Sequence, residues 1–203
     1  MTIVLATRNL GKISEIKALL PDVSIELATS FPDCPHPEET GTTFKENALI
    51  KALAITKFTQ KIALADDSGL EVDALGGAPG IYSSRFAGAQ ANDRENIDYL
   101  LQTLNGIPIS NRTARFRCAI ALTTPDEKTW IVEGVCEGQI LKESRGNSGF
   151  GYDPLFIPSG YKKTFGELDE NIKNLISHRA IALRQIQHII SKLKGNHEKM
   201  DKR

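Results

Sequence analysis

The sequence predicts an α/β fold in which helices flank a mixed β-sheet. In the first half, short apolar runs alternate with helical segments that have one apolar face, an order typical of parallel strands joined by helices. In the second half, two long segments of alternating apolar residues predict an antiparallel hairpin. With 203 residues the chain can form one large domain or a two-lobed one.

The N-terminal segment predicts a strand followed by a helix. The strand covers Ile3–Thr7, a polar break follows, and the helix runs from about Lys12 until Pro21 ends it. One face of this helix is apolar and consists of Ile13, Ile16, Leu19 and Leu20.

A second helix and a buried strand follow. The helix is predicted from about Thr43, because Thr43 and Glu46 have the spacing of a capping box. The residues that recur at helical spacing and would form its buried stripe are Phe44, Ala48, Ala52 and Ile55. The strand is Ile62–Ala65, where four consecutive apolar residues predict burial on both faces.

Capping and alternation patterns predict the remaining elements, which are a helix from Asn92 to Asn105-Gly106, strands over Ala114–Leu122 and about Lys128–Gly138, and a helix from Ser177 to a cap at Gly195. We expect a single domain over residues 1–195. Residues 196–203 are expected to be a flexible tail.

Composition excludes several classes of function. Lysine plus arginine and aspartate plus glutamate are equal at 25 each, so no net positive charge favours nucleic acid. No apolar stretch reaches the ~18–20 residues that cross a bilayer, and the N-terminus lacks a secretory signal. Three cysteines without metal-ligand spacing are typical of a reduced, cytoplasmic protein. The proline-rich loop around Cys34 and His36 is interpreted as an ordered surface loop rather than a metal site.

Two adjacent carboxylates are the most informative feature of the chain. Asp66 and Asp67 follow the buried strand and are expected to open a loop with Ser68 and Gly69. Strand ends at a sheet edge are where ligands bind in α/β folds. Two neighbouring negative charges are unfavourable without a cation or a proton between them, and a divalent metal with phosphate oxygens supplies one. The alternative is an ordinary turn, which the same residue types favour.

The turn between the first strand and the first helix is a candidate phosphate site. A helix N-terminus offers backbone N–H groups and a positive dipole end, and Thr7, Asn9 and Lys12 add polar and charged groups. It is not a Walker-type loop, because Ile13 follows Gly11-Lys12 and the upstream glycine is missing. The alternative is a loop that contacts only water.

A glycine-rich stretch, Ser144–Phe156, is a candidate base-binding loop. It contains Phe150, Tyr152 and Asp153, and glycines permit a ligand to approach while an aromatic ring stacks on a base. The alternative is a hairpin loop with a packing aromatic residue.

Basic residues near the C-terminus are also candidates. Lys173 precedes Ser177-His178-Arg179, which stands at a predicted helix start. Positive charges there oppose the helix dipole, so another reason must favour them. An anionic or carbonyl-rich ligand is the reason we expect.

Five motifs in order resemble the inosine/xanthosine triphosphate pyrophosphatase family, also called dITP/XTP pyrophosphatases. They are TRNLGK (Thr7–Lys12), EETGTTFKENA (Glu38–Ala48), ADDSGLEVDALGGAPGIYSSRFAG (Ala65–Gly88), GFGYDPLF (Gly149–Phe156) and SHR (Ser177–Arg179). The similarity spans about residues 2–194, and the long middle motif is highly specific. Arg8 departs from it, since several relatives have a small residue there.

The resemblance implies an elongated, two-lobed fold around a curved mixed sheet, with the site in the cleft between lobes and a homodimer as the working form. It also implies Mg2+-dependent hydrolysis of ITP, dITP or XTP to the monophosphate and pyrophosphate. A kinase or ATPase, a nucleotide sensor and a nucleic-acid-binding protein are the weighed alternatives.

The resemblance assigns roles to individual residues. Asp67 would activate water and contact the metal, and Glu38, preferred over Glu39, would support the metal. Asp66 would orient Asp67 or a metal-bound water. The implied substrate-binding residues are Thr7, Arg8, Asn9, Leu10, Gly11, Lys12, Lys51, Ser68, Phe150, Gly151, Tyr152, Asp153, Lys173, His178 and Arg179.

Overall fold

A computed structural model describes the backbone of residues 1–200 and the side chains of residues 1–195. It confirms the α/β class, with a mixed six-stranded sheet in the order β2-β1-β3-β4-β5-β6. The strands are β1 (Thr2–Leu5), β2 (Ser24–Leu27), β3 (Ala63–Val72), β4 (Thr113–Thr123), β5 (Thr129–Ile140) and β6 (Phe156–Pro158). The α-helices are α1 (Leu10–Leu19), α2 (Phe44–Thr59), α3 (Asp93–Thr103), α4 (Glu170–Ile176) and α5 (His178–Met200). Strand β1 pairs in parallel with β2 and β3, whereas β5 and β6 are antiparallel.

The chain divides into two compact units. Unit 1 consists of Met1–Asp67, Ala119–Glu133 and the chain from Arg179, and unit 2 consists of Ser68–Cys118 and Gly134–His178. The prediction of a single domain over residues 1–195 stays a prediction.

Unit 1 has a core of strand and helix residues. The apolar side chains of β1 are buried, and so are the stripes that the sequence predicted on α1 and α2, apart from the half-buried Leu19. Helix α1 begins at Leu10, two residues before the predicted start, because the Asn9 side chain accepts the backbone N–H of Lys12 at 3.0 Å and caps the helix. The Thr43–Glu46 capping box at the start of α2 is confirmed.

Unit 2 has its own core. Buried residues of β4, β5, β6 and α3 form it, and three phenylalanines (Phe116, Phe156 and Phe165) lie within 6.1 Å of one another by ring centroid. The predicted capping box of Asn92 and Glu95 on α3 is present. The predicted hairpin strands correspond to β4 and β5.

The predicted loop after Ala65 is wrong. Strand β3 continues through Asp66, Asp67 and Ser68 to Val72. A strand can hold two buried carboxylates here because basic side chains neutralise them, and those partners come from distant parts of unit 1.

The predicted cap at Gly195 is also wrong. Helix α5 continues through Gly195 to Met200, since one glycine inside a helix costs only ~1 kcal/mol. The predicted flexible tail, 196–203, ends in residues 201–203, which lie outside the described residues.

Candidate functional site

Asp67 lies at the centre of a charged group in unit 1. Its carboxylate oxygen Oδ1 is 2.8 Å from the Lys51 ammonium, which is also 2.7 Å from Glu39 Oε1 and 2.9 Å from the Asp66 carbonyl oxygen. Asp67 is 6% exposed and Lys51 is 8% exposed. The second carboxylate oxygen of Asp67 is buried and has no hydrogen-bond partner among the residues that the structure describes. A buried carboxylate oxygen of this kind is a site for an absent ligand.

Burial and charge act differently on the two partners. Burial raises the pKa of Asp67 above its ordinary value, and the opposing effects of Lys51 and Lys12 do not cancel it. Burial lowers the pKa of Lys51, but Asp67 and Glu39 outweigh it and the pKa is raised. Both pKa values rise because the lysine contacts two carboxylates whereas desolvation dominates at Asp67.

The pKa of Asp67 predicts how stability depends on pH. Since its folded-state pKa is raised above 3.8, this group stabilises the fold at pH below 3.8, and that contribution is lost as the pH rises through the raised value. We expect the free energy of unfolding of the wild type, relative to Asp67→Asn, to fall over that window. Urea unfolding between pH 3.5 and 7 measures it, and a difference independent of pH would contradict the assignment.

Asp66 has different partners from Asp67. Neighbouring residues of a strand point to opposite faces, and the Asp66 carboxylate contacts Lys12 at 2.5 Å and the Nε of Arg179 at 2.9 Å. Arg179 also pairs with Glu15 on α1. These side chains are almost completely buried, apart from the partly exposed Lys12 and Glu15. Asp66 therefore joins β3 to the starts of α1 and α5.

Loss of Asp66 should destabilise the protein strongly. Asp66→Ala leaves Lys12 and Arg179 without a carboxylate that is fully buried, and breaking such a pair costs ~3–5 kcal/mol. The free energy of urea unfolding measures this. Asp98→Ala is the matched control, because Asp98 pairs with Arg94 on an exposed helix face, where such pairs contribute ~0.2–0.5 kcal/mol. A loss for Asp66→Ala as small as that of the control would contradict the role.

The predicted phosphate loop lies at the N-terminus of α1. The Asn9 backbone N–H donates to Thr7 Oγ1 at 3.2 Å, and Gly11 and Lys12 fall in the first turn of the helix. Arg8 and Leu10 are exposed, Leu10 at 80%. Lys12 thus has one carboxylate partner, Asp66, and stands where a helix N-terminus favours anions.

A pocket in unit 1 adjoins this loop. Its lining includes three basic residues and no carboxylate, and the residues are Ala6, Thr7, Arg8, Ala28, Thr29, Cys34, Pro35, His36, Pro37, Lys51 and Ile55. The loop of Cys34 and His36 therefore lies next to the candidate phosphate loop. Lys51 belongs both to this pocket and to the charged group of Asp67.

The acidic pair Glu38 and Glu39 is resolved by the structure. The Glu38 side chain is exposed, whereas Glu39 is half-buried and contacts Lys51. Among the described residues, no group of three or more His, Cys, Asp or Glu side chains could hold a metal ion. The geometry brings Glu39, rather than the preferred Glu38, to the Lys51–Asp67 pair.

In unit 2 the glycine-rich loop is held by side-chain hydrogen bonds. The Phe150 N–H donates to Asp153 Oδ2 at 2.9 Å, the Gly151 N–H donates to Asp93 at 2.6 Å, and the Tyr152 hydroxyl donates to the Ser83 carbonyl at 2.8 Å. Gly149 has φ +79°, and a Cβ there would lie 2.0 Å from Asp153 Oδ2, so a glycine is required. Phe150 is half-buried, whereas Tyr152 belongs to the core.

Lys173 and His178 pack against aromatic rings of unit 2. The Lys173 ammonium is 2.5 Å from Asp153 Oδ2 and 5.2 Å from the ring centroid of Phe150. The His178 ring stacks on Phe116 at 4.8 Å. Lys173, Asp153 and Phe150 therefore form one group, and Ser68, half-buried in β3, belongs to the same unit.

Arg179 belongs to unit 1 and is 1% exposed. Its pairing with Asp66 and Glu15 supplies the reason for a basic residue at a helix start, for which sequence reasoning invoked a ligand. Sequence analysis did not identify Glu15 or Asp93. An acidic residue between Ile13 and Ile16 on the buried face of α1 was a signal for Glu15, whereas nothing in the sequence connects Asp93 to Gly151.

Comparison with known proteins gives one consistent result. The Ham1 family profile matches residues 3–189. A dITP/XTP pyrophosphatase from Desulforamulus reducens is 51% identical over 195 residues, which is 95% of this chain and 97% of that protein. A solved HAM1 protein from Coxiella burnetii has a TM-score of 0.85 at 45% identity, and the Ham1 protein of Staphylococcus aureus has 0.84 at 41%. Each covers 95% of this chain and 99% of the solved one.

No helix in the described part of the chain combines the length and apolar character that crossing a membrane requires.

Proposed function

The chain belongs to the Ham1 family, and we propose that it hydrolyses ITP, dITP or XTP to the nucleoside monophosphate and pyrophosphate. The observation that carries the proposal is the buried Glu39–Lys51–Asp67 group, whose Asp67 has one carboxylate oxygen available to a ligand. The name of the Desulforamulus reducens relative supports the substrate class. Removal of such nucleotides from the pool would keep them out of DNA and RNA.

The phosphate chain is assigned to the N-terminus of α1. Backbone N–H groups, Lys12 and the positive end of the helix dipole favour a polyanion there. Thr7, Arg8 and Lys51 line the adjoining pocket, which has no carboxylate in its lining. This charge pattern supports binding of a triphosphate.

The residues present fit a Mg2+ ion. Mg2+ is usually held in proteins by one or two carboxylates together with substrate phosphates and water, so a site of two carboxylates is enough. Four carboxylates (Glu15, Glu39, Asp66 and Asp67) contact three basic groups (Lys12, Lys51 and Arg179), which leaves one negative charge in excess. We assign Glu39 and Asp67 to Mg2+, which when bound would neutralise charge on the phosphates.

Asp67 is assigned to the attacking water. Attack on the α-phosphorus transfers charge to the leaving pyrophosphate, and the basic groups of unit 1 stabilise that charge in place. A carboxylate with a raised pKa is a better base than an ordinary one, because its proton affinity is closer to that required near neutral pH.

The base and sugar are assigned to residues of unit 2. Phe150 is the candidate for stacking on the purine, and Lys173 is the candidate hydrogen-bond donor. Tyr152 and Asp153 hold the loop, with Gly151 donating to Asp93. Arg179 is assigned to positioning through Asp66, not to direct contact with the base. A homodimer in the cytoplasm remains part of the proposal.

The test is identification of the products after incubation with ITP and Mg2+. IMP and pyrophosphate in equal amounts are expected. Inorganic phosphate or a phosphorylated acceptor would indicate an ATPase or kinase, and tight binding without turnover would indicate a nucleotide sensor. Steep salt dependence with a nucleic-acid ligand would indicate the remaining alternative.

A further inference from the structure

Lys51 occupies the position where a cation would bind. Its ammonium group has three N–H donors and lies within 2.9 Å of three oxygens, from Glu39, Asp67 and the Asp66 carbonyl. Two of these oxygens belong to the carboxylates assigned to Mg2+. We propose that Lys51 is the resident counter-ion of the Glu39–Asp67 pair and makes binding of Mg2+ depend on a polyphosphate, an inference that rests on the proposed function.

Electrostatics supplies the reason. Two carboxylates that meet in a buried site repel each other, and the Lys51 ammonium cancels one of the two charges. A Mg2+ ion that approaches both carboxylates meets this positive charge at hydrogen-bond distance from each. Mg2+ alone must therefore displace the ammonium or remain beside it, and both cost free energy. We expect weak binding of Mg2+ in the absence of a nucleotide.

A polyphosphate removes that cost. Its oxygens offer the Lys51 ammonium new acceptors and offer Mg2+ the phosphate ligands that it prefers. The structure provides the space, because Lys51 also lines the pocket shared with Thr7, Arg8 and Thr29. The long lysine side chain can redirect its ammonium within this pocket while α2 stays in place. Metal and polyphosphate should then each strengthen binding of the other by the same factor.

The carboxylate oxygen of Asp67 that has no partner among the described residues supports this order of events. Lys51 contacts Oδ1, so Oδ2 is the oxygen left for a ligand. A metal can therefore contact Asp67 before the ammonium has moved. This explains why two carboxylates and a lysine, rather than three carboxylates, suffice in this group.

The experiment measures the affinity for Mg2+ alone and with inorganic tripolyphosphate by isothermal titration calorimetry. In the wild type, tripolyphosphate should strengthen binding of Mg2+ beyond the affinity of Mg2+ for tripolyphosphate in solution, by about 5- to 150-fold as in typical coupled sites. Lys51→Met should bind Mg2+ alone more tightly than the wild type and should lose most of this coupling. Lys45→Met is the matched control, since Lys45 lies on the same helix and pairs with Glu133.

Two outcomes would overturn the proposal. One is a wild type without coupling between Mg2+ and tripolyphosphate, which requires no variant to fold. The other is a Lys51→Met protein, or Lys51→Gln if the first does not fold, that binds Mg2+ alone no more tightly than the wild type. Tighter Mg2+ binding by the variant in a protein whose wild type does not cleave ITP would retain the counter-ion role and reject the proposed function.

Discussion

Asp67→Asn should keep its fold and lose ~100- to 10,000-fold in kcat for ITP, the contribution that a general base makes. The amide has the shape of the carboxylate but cannot take a proton from water, and it is a weaker metal ligand. Lys51 would keep its contacts with Glu39 and the Asp66 carbonyl oxygen, so the surrounding structure has a reason to persist. Release of pyrophosphate at saturating ITP and Mg2+ measures the loss.

Two comparisons make this result specific. Circular dichroism and urea unfolding of the variant show whether the fold is retained. Asp126→Asn is the matched control, because Asp126 pairs with Lys128 in an exposed turn and should leave kcat unchanged. An Asp67→Asn enzyme that turns over ITP within a few-fold of the wild type would remove Asp67 from the mechanism.

ITP and XTP should exceed ATP in kcat/KM by up to ~10,000-fold, the discrimination that a hydrogen-bonding site achieves. Hypoxanthine and xanthine have an oxygen at position 6 that accepts a hydrogen bond, whereas adenine has an amine that donates one. A donor such as the Lys173 ammonium would face another donor in ATP and lose its partner. GTP shares the 6-keto group, so its exclusion must depend on the 2-amino position, and we expect GTP below ITP as well.

Kinetics with the four nucleotides measures this selectivity, and equal kcat/KM values would refute it. Lys173→Met should lower the ratio of ITP to ATP, whereas the control Lys163→Met, at an exposed position of the same unit, should not. The variant is informative because Lys173 is buried against Asp153 and the Phe150 ring, so its effect should appear in base selectivity more than in phosphate binding.

Local patterns predicted most of the elements. The capping boxes at Thr43 and Asn92 placed the starts of α2 and α3, since a cap is a hydrogen bond between residues three apart. Alternation over 114–122 predicted β4, because one face of that strand is buried along its whole length. These features are visible in the sequence because each depends on residues close together in the chain.

The errors have the opposite origin. Strand β3 was predicted to end at Ala65 because Asp, Ser and Gly favour turns, yet it continues because Lys12, Lys51 and Arg179 neutralise the two aspartates. Arg179 is 113 positions from Asp66, and no spacing rule connects them. The preference for Glu38 over Glu39 had no physical basis until the position of Lys51 decided between them.

By itself, the sequence determined the class of fold, the helices that carry their own caps, and the family to which the motifs point. Tertiary structure alone decided how the charges pair, and so which of two adjacent aspartates keeps an oxygen for a ligand and which is consumed in holding helices α1 and α5 to the sheet. The reason is that hydrogen bonds within a turn or cap depend on neighbours in the chain. The burial and neutralisation of a charge depend on side chains that only folding brings together.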